Sequence, residues 1–164
     1  MNFKFLLLFL FCTLNMNMVH AVNPESEPAP IQYEIVSAGS GLQGTYLVKV
    51  WVYDKKGNID DFKLKYAAVH GVLFKGFSGK KGCPSQPPLV GNQVMEQNKA
   101  DYFNDFFSQE GIFLNFSNIV DGSYSRTKLS KKKYKISAVV QVQKDLLRKE
   151  MERAGVMQSL SDGF

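Results

Sequence analysis

Sulfur and imidazole are scarce in this chain. Its 164 residues hold two cysteines, two histidines and one tryptophan. Cys12 and His20 fall in the first 21 residues, so the rest of the chain carries a single thiol, Cys83, and a single imidazole, His70. Zinc centres built on Cys and His need more ligands than that, and a lone cysteine cannot close an internal disulfide. Phosphate-binding glycine loops are missing too: "GKKG" lacks the G-x-x-x-x-G-K-[ST] spacing, and no G-x-G-x-x-G follows a strand. Beyond the amino terminus no apolar run approaches the roughly 20 residues that a membrane-spanning helix requires. The expectation is therefore no metal and no cofactor.

The amino terminus has a different character. "MNFKFLLLFLFCTLNMNMVHA" places Lys4 before an apolar run from Phe5 to Leu14 and ends in Val-His-Ala, the layout of a secretory signal peptide cut after Ala21. Cys12 is no lipidation site, because Leu10 and Phe11 precede it where small residues are needed. Residues 1–21 are thus read as a signal peptide, and 22–30, "VNPESEPAP", as a flexible lead-in rich in proline and glutamate. Residues 31–164 form the expected single domain, periplasmic or secreted. At 45% hydrophobic and 13% aromatic residues the composition is that of a folded globule held by its core.

Periodicity sets the expected fold. "IQYEIVSAGSGLQGTYLVKVWVYDKKGN" reads as a hairpin in which Tyr46, Val48, Val50 and Val52 share one face while Thr45, Leu47, Lys49, Trp51 and Tyr53 share the other. "NIDDFKLKYAAVHGVLFKG" switches to helical spacing through Ile59, Phe62, Tyr66, Val69 and Leu73, with Asn58 as amino cap and Lys75-Gly76 as the stop. A second helix follows in "NQVMEQNKADYFNDFFSQEG". "IFLNFSNIV" and "YKISAVVQV" read as strands joined by the long tip "SYSRTKLSKKK", and "KDLLRKEMERAGVMQSL" as a last helix carrying Leu147, Met151 and Ala154. The order β-β-α-α-β-β-α predicts an α+β fold: a small antiparallel sheet with helices packed on one face.

Three clusters invite chemistry. His70 and Cys83 could form a thiol–imidazole pair if the Gly/Pro-rich stretch between them brings them within hydrogen-bond reach. Residue types argue against it: His70 borders the apolar stripe at Tyr66 and Leu73, and no signature surrounds the cysteine. Asp101 and Asp105 stand one helical turn apart and could serve as a glycosidase pair or bind a cation, although acids at this spacing usually line a solvated face. From Gly122 to Lys135 there are six cations, Arg126, Lys128, Lys131, Lys132, Lys133 and Lys135, and no acid. In an exported protein such a tip suits an acidic protein or an anionic envelope surface and not nucleic acid; alternatively its lysines only keep a sheet edge from aggregating. The segment Gly76–Gly91 reads as the connector of two helices, long enough to be a partner-binding loop.

"LKYAAVHGVLFKG", paired with "KISAVVQVQKDLLRKEMERAGV", resembles the small α+β domain of bacterial outer-membrane-associated accessory proteins. That group includes curli-assembly-type lipoproteins, flagellar accessory proteins and the amino-terminal domain of the Tol-system translocation protein. The likeness spans about residues 43–160 and rests on element order and helix ends. It implies a non-enzymatic assembly or interaction module of the cell envelope, and assigns no site residue. This chain departs from the type by lacking a lipidation cysteine and by inserting "KADYFNDFF" between the halves. The expected function is accordingly an exported interaction module whose partner residues are the six tip cations. The alternatives are a carboxylate hydrolase and a small-ligand carrier with a pocket lined by Trp51, Phe103 and Phe107.

Overall fold

Alternating apolar residues in "YLVKVWVYD" and "YKISAVVQV" demand two half-buried strands, and these form the centre of the sheet. The computed structural model describes residues 31–158 apart from Lys81 and Asn92; the expected signal peptide, 1–21, and the expected lead-in, 22–30, lie outside the described residues. Strands β1 (Tyr33–Gly39), β2 (Tyr46–Asp54) and β5 (Lys133–Val142) lie side by side in that order, all antiparallel. The far edge of β5 is shared end to end by two shorter strands. β3 (Ser117–Ile119) pairs with its last residues, and β4 (Ser125–Ser130) with its first. Ser123 spans the break between them, its Oγ accepting from the Val139 amide at 3.0 Å.

The register aligns Val48, Val50 and Val52 with Val140, Ala138 and Ile136. All six are buried and form the floor of the core. On this floor lie helix α1 (Asp61–His70), continued by a π-helical turn through Lys75, and helix α4 (Lys144–Arg153), which buries Leu147 and Met151. The fold is therefore α+β, an open antiparallel sheet with its helices on one face.

Helix α1 buries more than one stripe. Leu64, Ala67, Ala68 and Gly71 are fully covered along with Val69 and Leu73, while Phe62 and Tyr66 are half-buried. The small residues let the helix settle close to the sheet: a Cβ on Gly71 would stand 2.8 Å from the Ile35 side chain of β1. The second flank meets aromatic rings, Phe62 edge-on to Phe113 at 5.3 Å and Tyr66 tilted against Phe107 at 4.8 Å between centroids. A helix covered on two sides shows no narrow apolar stripe, so the expected stripe is only partly the buried one. Ile59 in particular precedes the helix and is 51% exposed. The cap is Asp60 rather than Asn58; its carboxylate accepts from the Lys63 amide at 3.3 Å. The helix does stop at Gly76, which adopts a left-handed φ of +68° and returns its amide to the Gly71 carbonyl.

Three further segments differ from expectation. The second helix is two short ones, α2 (Gln93–Asn98) and α3 (Ala100–Phe106), separated at Lys99. Ile112–Phe116 is a 3-10 turn and not a strand. A 3-10 turn sets residues three apart on one side, which lets Phe113 and Phe116 both face the ring of Phe106, at 6.4 and 6.1 Å; a strand would send them to opposite faces. The tip "SYSRTKLSKKK" is mostly strand β4, closed on β5 by the two-residue turn Lys131-Lys132, so the element order gains one strand over the expected seven-element order.

Candidate functional site

The lone imidazole is enclosed by π-systems and fully hydrogen-bonded. His70 ends α1 with 8% of its surface exposed, stacked on Tyr66 at 5.2 Å and packed against Phe74 and Phe107. Its Nδ1 lies 2.5 Å from the Tyr33 hydroxyl and its Nε2 lies 2.9 Å from Glu96 Oε1. A carboxylate can only accept, so Nε2 carries the ring proton and Nδ1 accepts from Tyr33. Burial holds the imidazole below its ordinary titration range, with Glu96 opposing, which favours this neutral tautomer. Burial likewise raises the Tyr33 phenol, keeping it a donor, and pushes Tyr66 up to about 12. With both nitrogens engaged, the chain Tyr33–His70–Glu96 ties β1, α1 and α2 together and leaves neither imidazole nitrogen free.

Cys83 has other neighbours. Its Sγ stands 3.8 Å from Ser40 Oγ, and it lines a small cavity of about 140 Å³ with Tyr46, Phe77 and Gln86. The structure does not bring the thiol to the imidazole, since none of the groups bonded to His70 lies in that cavity. The segment Gly76–Gly91 that carries it is more ordered than a connector. Phe77 and Gln86 exchange backbone hydrogen bonds at 2.9 Å, and the Ser37 amide of β1 donates to the Ser78 carbonyl. Leu89 and Val90 then donate to the Val72 and Leu73 carbonyls of the π-helical turn. The segment folds as a small hairpin against the outer edge of β1, where it covers backbone groups that an edge strand would otherwise expose.

Asp101 and Asp105 are both exposed on α3. Asp101 borders a shallow groove of about 460 Å³ whose walls do not include Asp105. No second carboxylate converges there, so the pair lacks the facing geometry that glycoside hydrolysis uses. Among the described residues no group of three or more His, Cys, Asp or Glu side chains could hold a metal ion.

The six tip cations occupy the β4–β5 hairpin, and their surroundings differ. Arg126 donates to the Gly57 carbonyl at 3.3 Å, and Lys128 stands 5.9 Å from the Tyr134 ring centre. Lys133 lies over Tyr53 at 5.0 Å, and Lys135 over Trp51 at 5.2 Å while it also pairs with Glu34 at 2.9 Å. Hydrogen bonds from Tyr53 and Lys135 hold the Glu34 carboxyl below the usual range. Lys131 and Lys132, in the turn, are exposed and have no partner among the described residues.

Register makes this a larger surface than the tip alone. Tyr53 faces Lys135 and Trp51 faces Ser137 across β2 and β5, on the sheet face that no described helix covers. Lys49 completes the row, 5.4 Å from the Trp51 ring. The uncovered face thus interleaves Lys49, Lys133 and Lys135 with two half-buried aromatic rings, and leads to the unpaired lysines of the turn. Reading the tip in isolation missed Lys49, Trp51 and Tyr53. The signal for them was their shared parity in β2, which becomes informative only once β2 is known to pair with β5.

The aromatic pocket is split. Phe103 and Phe107 line a cavity of about 350 Å³ beside α1, together with Tyr66 and Glu96, whereas Trp51 lies on the uncovered face of the sheet. None of the described helices is long and apolar enough to cross a membrane. No family model, no curated protein and no solved structure matches the chain.

Proposed function

We propose that the protein is an exported, non-enzymatic interaction module of the cell envelope that docks an acidic protein surface against the uncovered sheet face and the β4–β5 hairpin. The observation that carries this reading is the row Lys49–Trp51–Lys135–Tyr53–Lys133, which ends at the unpaired Lys131 and Lys132. Lys49 and Lys133, held over aromatic rings, are pre-positioned, so an incoming carboxylate meets them at lower entropic cost, whereas Lys135 already pairs with Glu34. Aromatic rings supply the apolar area that anchors most interfaces. Export rests on the leader Met1–Ala21, and the envelope setting on the resemblance of element order to outer-membrane accessory domains. The pairing of both His70 nitrogens and the lack of converging carboxylates at Asp101 support a binding role over hydrolysis.

Site-specific photocross-linking tests the surface. A photoreactive residue in place of Lys132 should capture one discrete partner in the native host, and the same residue in place of Lys149 on α4 should not. Equal capture from both positions, or none from Lys132, would contradict the proposal.

A further inference from the structure

The cavity beside α1 is separate from the basic face and has the opposite charge. Its volume of about 350 Å³ falls at the lower end of the range for small-molecule sites. Tyr66, Phe103 and Phe107 wall it, with Tyr66 and Phe107 4.8 Å apart and Phe103 stacked with Phe107 at 6.3 Å. Glu96 supplies the carboxylate in that wall. His70 Nε2 occupies its Oε1, and Oε2 has no partner among the described residues. No cation lines the cavity; Lys75, the nearby lysine, is taken up over the Tyr33 ring at 3.9 Å.

We infer that this cavity binds a small organic cation, an ammonium or methylated ammonium head seated in the mouth of the cavity against the Phe107 ring and the free oxygen of Glu96. Aromatic rings and a carboxylate both attract positive charge, and here they line one open groove. The hydrogen bond from His70 fixes the carboxylate in place. Burial favours the neutral form of the imidazole that holds it, so that ring brings no positive charge to compete with the ligand. Asn104, also in the wall, can hydrogen-bond a polar group on the ligand body.

The probes are choline and its neutral isostere 3,3-dimethylbutan-1-ol, with phenethylammonium and 2-phenylethanol as a second pair, titrated into the full exported chain and followed by NMR. Saturable shifts confined to Tyr66, Phe103 and Phe107, with at least one cation bound about tenfold more tightly than its isostere, are expected. Glu96→Gln keeps an acceptor for His70, so the fold should survive, confirmed by an unchanged melting curve. That variant should lose about tenfold in cation affinity and none for the neutral probes. Equal affinity for charged and neutral probes, no saturable binding of any probe, or an unaffected Glu96→Gln variant would overturn the inference.

Discussion

The Tyr33 hydroxyl and Glu96 carboxylate grip the two nitrogens of His70 from opposite sides, at 2.5 and 2.9 Å. This is the only described place where β1, α1 and α2 share one hydrogen-bonded chain, and it lies within a cluster of aromatic rings where water cannot substitute for a lost partner. Removing the hydroxyl strands a buried ring nitrogen. Tyr33→Phe should therefore cost about 1–3 kcal/mol in urea unfolding. The double variant Tyr33→Phe/His70→Phe should cost less than the sum of its parts, because the second change removes the stranded group.

The same imidazole makes stability depend on pH. Burial lowers the titration range of His70 in the folded chain, so below its ordinary value near 6.5 the unfolded chain takes up a proton that the folded chain refuses. Stability should then be full above that value and fall as the pH drops, levelling once the folded imidazole also protonates. Melting temperatures measured between neutral and mildly acidic pH would show the slope. His70→Gln should flatten it in that window.

Gly71 and Gly76 are among the glycines where a side chain would collide. Gly76 combines a φ of +68° with a hypothetical Cβ only 2.4 Å from the Gln86 carbonyl oxygen, inside the small hairpin that covers β1. Gly76→Ala should cost more than the roughly 1 kcal/mol of an ordinary positive-φ glycine, since backbone must also move. Gly71→Ala meets a side chain, Ile35, that can shift; a loss of about 1–3 kcal/mol is expected. Thermal unfolding should rank Gly76→Ala as the worse of the two.

Phe113 and Phe116 test the 3-10 turn. Phe113 is fully buried among Phe62, Phe106 and Phe107, and Phe116 is half-buried against Phe106. Phe113→Ala should cost about 3–5 kcal/mol and Phe116→Ala clearly less. Contacting the same ring, the two losses should not add.

Period-two alternation in β2 and β5 announced both central strands and their buried faces, because each strand has one core side and one uncovered side. The 3.6-residue pattern located α1 and α4, and glycine marked their ends. What stayed hidden was non-local. Phe113 and Phe116 share one side only because a 3-10 turn replaces the expected strand there. The segment "SRTKLSKKK" read as a long hairpin tip because its polar residues hide an edge strand that becomes visible only through its pairing with β5. At the site, the tip cations were visible as a run without acids, but their alliance with Trp51 and Tyr53 required the β2–β5 register. His70 was expected at a core edge; Tyr33 and Glu96, distant in sequence, could not be named as its partners.

The basic face is most directly tested by reversing charge where no intramolecular partner is disturbed. Lys131→Glu with Lys132→Glu should leave the melting temperature unchanged. In the native host the pair should release the partner captured at the hairpin, with binding that weakens steeply as salt rises in the parent protein. A partner retained at full affinity by the reversed turn, or binding indifferent to salt, would contradict the account.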